Sequence, residues 1–188
     1  MSESPPPIPP IHGAKKRLLG KIATLDDSTC EVLETIVAGL SYQVQETIAK
    51  YTDIAMPAFA KNFKTRLQLH HATHEEVFKK KTFEYAFKAG CIVAGKKSEM
   101  DPNVTSAGYD VVVDGVRYSL KTEAGASMSP QYIKISKLME ARWIRECRTG
   151  KDFLRGTKHI MDHFTHYDRV LIVRAFKVKT PYRASREV

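Results

Sequence analysis

The sequence predicts an α/β fold in which a helical N-terminal part packs on a mixed sheet of about four strands. Helical patterns of apolar residues fill positions 14–90, whereas strand-like segments joined by a tight turn appear only after position 91. A helix and a buried strand then follow that turn. Because 188 residues suffice for one domain with a sizeable core, we expect a single domain over 14–188, helical over 14–90 and with a catalytic core over 91–180.

The N-terminal residues 1–13 are rich in proline and are expected to form a disordered lead-in. They lack the apolar segment of a secretory signal peptide, and no stretch approaches the roughly 20 apolar residues of a membrane helix. Three cysteines lie far apart, as in proteins of a reducing compartment. We therefore expect a cytoplasmic protein with no membrane partner.

Three helices are predicted before the strand-like region. A capping box at 28–31 opens a helix whose apolar spacing continues to Tyr51. Pro57 fits the first turn of a second helix that ends near Leu69. A second capping box at 73–76 predicts a third helix over 74–89, stopped by Gly90. Glu84 is an acidic residue within the largely apolar part of that third helix.

A β-hairpin is the clearest local prediction, because Asp114-Gly115 between two β-rich runs is typical of a two-residue type I′ turn. This turn sets the register, so that Asp110 lies opposite Ser119. One face then carries only apolar and aromatic side chains, and the other carries the polar ones, with Lys121 beside Asp110 and Ser119. The apolar face consists of Tyr109, Val111, Val113, Val116, Tyr118 and Leu120.

The remainder of the chain predicts two helices and one more strand. Ser136 caps a helix that runs through Arg148, residues 151–166 have a helical pattern, and residues 169–176 form a buried strand. The tail beyond Thr180 carries turn and charged residues only. The chain ends soon after its last predicted strand, which leaves open a further C-terminal part.

The polar face of the hairpin suits phosphodiester hydrolysis. A hard divalent cation binds carboxylate oxygen, which Asp110 supplies, and such a cation activates water. Lys121 can position that water and stabilise charge on the phosphorane. A net charge of +9 favours a polyanionic partner such as DNA. The alternative is a surface hairpin with an ordinary Asp–Lys ion pair.

The hairpin resembles the PD-(D/E)xK nuclease motif, which is found in type II restriction endonucleases and related repair nucleases. By this resemblance, Asp110 takes the place of the metal-binding Asp, Lys121 that of the catalytic Lys, and the Leu120 carbonyl that of a further metal ligand. Glu84 resembles the helix Glu of the family. With the order of elements, the similarity extends over roughly 74–176.

The resemblance implies a restriction-endonuclease-like mixed sheet flanked by helices. It also implies Mg²⁺- or Mn²⁺-dependent cleavage of double-stranded DNA by a homodimeric restriction enzyme. Two alternatives stay open: a repair or recombination nuclease, and a DNA-binding protein with a degenerate nuclease site.

Ser119 departs from the motif, since the family usually has Glu or Asp there. Three interpretations are open: Glu84 or, less favoured, Glu123 supplies the missing carboxylate; one metal suffices and Ser119 binds it through water; or the site has decayed and only binds DNA. Glu84 is preferred, because a carboxylate in an aromatic-rich helix that faces a sheet needs a cation nearby.

Contacts with DNA are expected from basic side chains after the hairpin and around the third helix, and from the loop at 122–135. A separate possibility is a zinc site formed by histidines at helical spacing, although no Cys or carboxylate stands at ligand spacing. The DNA candidates are Lys134, Lys137, Arg142, Ser129, Gln131 and the lysines at 79–81, and the zinc candidates are His159, His163 and His166.

Overall fold

The computed structural model describes residues 13–47, 50, 52–103, 108–125, 128–133, 147–177 and 185–187. Within these residues the chain forms five helices and five strands in the order α1, α2, α3, α4, β1, β2, β3, α5, β4 and β5. The helices are α1 (Ala14–Ile22), α2 (Asp27–Ser41), α3 (Pro57–Thr73), α4 (Lys80–Val93) and α5 (Gly150–Phe164), and the strands are β1 (Ser98–Met100), β2 (Val111–Val113), β3 (Val116–Ala124), β4 (Arg169–Lys177) and β5 (Ser185–Glu187).

One mixed sheet contains all five strands, in the spatial order β1-β2-β3-β4-β5. β3 and β4 are parallel, whereas the other neighbouring pairs are antiparallel. The predicted α/β fold with a mixed sheet is therefore confirmed. The strand count differs from the prediction, because β1 and β5 are edge strands of three residues each, in segments whose sequence predicts a polar loop and an irregular tail.

The hairpin forms as predicted. Val113 pairs with Val116 and Val111 with Tyr118 across the two-residue turn. Asp114 and Gly115 both have positive φ, 48° and 84°, as a type I′ turn requires.

The predicted apolar face of the hairpin packs on α4, which contributes aromatic side chains and Cys91 to the same core. Phe87 lies at its centre, 1% exposed, with its ring centroid 5.5 Å from that of Tyr118. Leu120 and Val111 are fully buried beside them. This packing fixes α4 against the three strands β1 to β3, and so sets the position of Glu84 relative to the hairpin.

Several predicted helix boundaries are wrong, and the first are those of α2. This helix is capped by Asp26, whose carboxylate accepts a hydrogen bond from the Thr29 N–H (2.8 Å), and it ends at Ser41. The predicted continuation to Tyr51 fails because Tyr42 turns to an extended conformation and residues 43–47 are not helical.

The third predicted helix begins six residues later than expected, at Lys80. Thr73 does not cap it, because its hydroxyl donates to the Leu69 carbonyl (3.0 Å) as part of the last turn of α3. α3 itself begins at Pro57 as predicted and continues past Leu69. α4 also runs beyond Gly90 to Val93, and a Cβ at Gly90 would lie 2.9 Å from the Phe59 ring.

The predicted helix over 151–166 and the strand over 169–176 are confirmed as α5 and β4. The predicted helix from Ser136 through Arg148 lies outside the described residues except for its last two positions, 147 and 148, which are not helical. The predicted lead-in at 1–13 also lies outside them, except for Gly13. Among the helices that the structure describes, none combines the length and the apolar character needed to cross a membrane.

Candidate active site

Asp110 is held at the start of β2 by both neighbouring strands. Its N–H donates to the Tyr118 carbonyl (2.8 Å), and its carbonyl accepts from the Asp101 N–H (3.0 Å). Its carboxylate Oδ2 accepts the Leu120 N–H at 2.6 Å. The prediction that Asp110 faces Ser119 across the ladder is therefore wrong: the ladder ends at Val111, and the carboxylate lies against the edge of β3.

Glu84 and Asp110 come together around one ammonium group. Lys80 Nζ lies 2.8 Å from Asp110 Oδ1 and 4.0 Å from Glu84 Oε1. The Glu84 side chain is only 9% exposed, and its second oxygen lies 3.2 Å from Lys81 Nζ. Two carboxylates, from α4 and from the start of β2, thus share a position that already stabilises a cation.

Lys80 is predicted from the sequence only as a DNA contact, and sequence reasoning misses its link to Asp110. The sequence does hold a signal, since Lys80 stands one helical turn before Glu84. A contact with Asp110, far along the chain, depends on how α4 packs on the sheet.

Leu120 and Lys121 are linked to Asp110 through the Leu120 amide. In an extended strand the N–H and the C=O of one residue point to the same side of the strand. Because the Leu120 N–H points to Asp110, the Leu120 carbonyl lies on the same side of β3 as Asp110. Lys121 is half-buried and pairs with Ile172 of β4. Alternation along β3 directs its side chain to the face opposite Leu120, whereas the Asp110 carboxylate lies at the strand edge. The position of Lys121 beside Asp110 stays a prediction.

Ser119 is fully buried, and its hydroxyl has no hydrogen-bond partner among the residues that the structure describes. The interpretation in which Ser119 binds a cation through water stays a prediction, because a buried hydroxyl of this kind can bind an ordered water.

Glu123 is already neutralised. Its carboxylate accepts from Arg174 Nε at 2.8 Å, and the two residues are 6% and 9% exposed. Arg174 also donates through Nη2 to the carbonyls of Ser129 (2.7 Å) and Tyr132 (3.1 Å). The pair joins β3, β4 and the segment at 128–133, so the geometry favours Glu84 over Glu123 as the second carboxylate.

The donor set at Asp110, Glu84 and the Leu120 carbonyl consists of oxygen only, which fits Mg²⁺ or Mn²⁺. Two carboxylates and one carbonyl leave substrate and water oxygens to complete the coordination.

The zinc site suggested by His159, His163 and His166 is not formed. Across the described ranges, no three His, Cys, Asp or Glu side chains group closely enough to hold a metal ion. Helical spacing alone therefore does not bring these histidines into a ligand set.

A cavity of about 290 Å³ lies between the residues around the start of α4 and the later parts of β3 and β4. Lys79, Lys80, Val173 and Ala175 are among its lining residues. Lys80 thus belongs both to this cavity and to the ion pair with Asp110.

The predicted DNA contacts are only partly located. Ser129 and Gln131 lie in the segment at 128–133, where the Ser129 hydroxyl accepts the Gln131 N–H at 3.2 Å. Lys134, Lys137 and Arg142 lie outside the described residues.

Comparison with known proteins identifies the family. The family model SmaI, type II site-specific deoxyribonuclease, matches residues 19–187. The type II restriction enzyme SmaI of Serratia marcescens is 30% identical over 142 residues, which cover 73% of this chain and 54% of that enzyme. The chain thus spans about half the length of this relative, and no solved structure matches it significantly. These matches confirm the resemblance to type II restriction endonucleases: the chain belongs to the SmaI family of type II site-specific deoxyribonucleases.

Proposed function

We propose that the protein is a metal-dependent endonuclease that cuts double-stranded DNA at a specific sequence, as a type II restriction enzyme. The observation that carries the proposal is the convergence of Glu84 and Asp110 on one cation, with Asp110 bonded to the strand that carries Lys121. Membership of the SmaI family supports the same activity.

In this proposal Glu84, Asp110 and the Leu120 carbonyl hold Mg²⁺ or Mn²⁺. When bound, the cation supplies Lewis acidity toward the phosphate and lowers the pKa of water. Lys121 orients the attacking water and stabilises the negative charge that develops on the phosphorane. The backbone bonds from Tyr118 and Asp101 keep Asp110 fixed during the reaction, because both neighbouring strands hold it.

The proposed DNA surface surrounds this site. Lys79 and Lys80 line the cavity and Lys81 follows them in α4, so the three suit phosphate contacts, which position a duplex without reading its sequence. Ser129 and Gln131 are proposed to reach base edges, and Lys134, Lys137 and Arg142 to contact the backbone. A homodimer is proposed because cutting both strands needs two sites.

Ser119 favours a second candidate, a DNA-binding protein with a degenerate nuclease site. A fully buried serine replaces an acid of the motif, so the site has one negative charge fewer than the family pattern. In that case the protein binds the duplex but does not cut it.

Cleavage of supercoiled plasmid in Mg²⁺ tests the proposal. We expect discrete fragments from the wild type and a loss of about a hundredfold or more in Asp110→Asn and Lys121→Ala, since each removes a group that contacts the reacting atoms. Glu99→Gln and Lys97→Ala are matched controls, because these exposed side chains form an ion pair with each other (3.2 Å) at the edge of the sheet.

Unchanged cleavage in Asp110→Asn would reject the site. Duplex binding without cleavage in any divalent metal would select the degenerate binding protein. The dimer is tested separately by sedimentation: a monomer that linearises plasmid without a second copy contradicts it.

A further inference from the structure

Lys80 occupies the position at which the carboxylate pair would hold a metal. Its ammonium lies 2.8 Å from Asp110, and the side chain is 50% exposed at the first residue of α4. A lysine at this end of a helix is opposed by the helix dipole, so the interaction with Asp110 must offset that cost. Lys80 is therefore held by the acidic site itself.

We propose that Lys80 is a resident cation of the metal-free site, which Mg²⁺ or Mn²⁺ must displace from Asp110 in order to bind. This inference rests on the proposed function, and it adds a positioning role for a residue that the nuclease motif does not contain. Lys80 keeps Asp110 neutralised until the metal arrives, while Glu84 is paired mainly with Lys81.

Lys80 and a metal ion should compete for Asp110 because both are positively charged. Asp110 Oδ2 accepts the Leu120 N–H, whereas Oδ1 binds Lys80, so a metal that binds at Oδ1 meets the ammonium directly. A dication bound there would repel an ammonium about 3 to 4 Å away. The Lys80 stem is long and flexible, and its half-exposed head can turn toward solvent or toward a DNA phosphate.

Removal of the Lys80 charge should therefore tighten metal binding. A half-exposed ion pair contributes modestly, so we expect Lys80→Gln to lower the Kd for Mn²⁺ about two- to fivefold in the absence of DNA. Lys80→Arg keeps the charge and should bind Mn²⁺ as the wild type does. Titration of the free Mn²⁺ signal by electron paramagnetic resonance measures these constants.

Lys79→Gln is the matched control. Lys79 is adjacent in sequence and carries the same charge, but it pairs with Glu76. Its loss should leave the Kd for Mn²⁺ unchanged, and thermal melts verify that all variants are folded. A general charge effect would instead shift both variants equally.

An unchanged or raised Kd in Lys80→Gln overturns the inference, as does the absence of Mn²⁺ binding in both proteins. Plasmid cleavage by the wild type distinguishes failure of this inference from failure of the proposed function. If the wild type cuts DNA but Lys80→Gln does not change the Kd for Mn²⁺, only the displacement of Lys80 by the metal is rejected. A wild type that binds Mn²⁺ but does not cut DNA rejects the nuclease and leaves the displacement to be decided by the Kd comparison.

Discussion

Ser119 shows how one residue can depart from a motif for a reason of packing. Its neighbours on β3, Tyr118 and Leu120, are buried in the core on one face, and Ser119 is itself fully buried on the other. An acid at this position would be an unpaired charge out of reach of water, which costs several kcal/mol. A small side chain suits the position better.

Replacement of Ser119 should therefore affect stability in opposite directions. We expect Ser119→Ala to raise the free energy of unfolding by up to about 1 kcal/mol, because the hydroxyl has no partner among the described residues. Ser119→Glu should lower it by about 3 kcal/mol or more. Urea denaturation measures both, and a stable Ser119→Glu with stronger metal binding would show that the position opens to the site.

At the residue scale, the sequence predicts what depends on neighbours in the chain. The turn predicts Asp110, Leu120 and Lys121 as site residues, and the polarity of Glu84 within an apolar helix predicts Glu84. The structure places Glu84 within reach of the same ammonium as Asp110. The Glu123–Arg174 pair could not be predicted, since it joins residues 51 positions apart.

The junction of β3 and β4 shows how elements are tied together. Arg117 donates to Asp168 from its backbone N–H (2.8 Å) and from its guanidinium (2.9 Å), and the Asp168 N–H donates back to the Arg117 carbonyl. The Arg117 side chain and backbone lower the pKa of Asp168 to about 2 from an ordinary value of 3.8. This cluster lies at the start of the parallel pair.

Because the pKa of Asp168 is lower in the folded protein than its ordinary value, the free energy of unfolding depends on pH. The contribution of Asp168 is fully present above about pH 4 and is lost as the pH falls toward 2, because protonation then removes the charge that binds Arg117. We expect Asp168→Asn to reduce stability at neutral pH and to flatten its fall between about pH 4 and 2. Urea unfolding across this range measures it, with Asp162→Asn on the exposed side of α5 as control; a pH profile in Asp168→Asn that parallels the wild type contradicts the assignment.

At the element scale, predictions succeed where signals are local and unambiguous. The Asp114-Gly115 turn requires positive φ at two positions, and few other structures accept it. The capping boxes are less specific, because a Thr such as Thr73 can bond back into its own helix. β1 and β5 have no alternating pattern, and their pairing depends on the strands beside them.

The whole molecule carries a net charge of +9, which bears on how it would hold DNA. Each phosphate that a lysine or arginine neutralises releases counterions, so affinity falls steeply with salt. We expect the affinity of Asp110→Asn for a duplex, measured by fluorescence anisotropy, to fall at least about a hundredfold between about 50 and 200 mM salt.

Lys79, which precedes α4, and Lys81 within it are expected to supply part of this salt dependence. Lys79→Gln combined with Lys81→Gln should reduce the slope of log affinity against log salt by about 2, because two phosphates are then no longer neutralised. A slope that stays constant in the double variant would assign the phosphate contacts to another part of the surface.

The proposed catalytic and metal-binding groups all lie on one continuous stretch, from Glu84 in α4 to Lys121 on β3. The crossover that follows, from Gly125 to Asp168, contributes none of them. In the proposed enzyme, cutting and site choice are therefore carried by separable portions of the chain. A chimera that receives its crossover from a homologue with another target should inherit the new target while keeping the original chemistry.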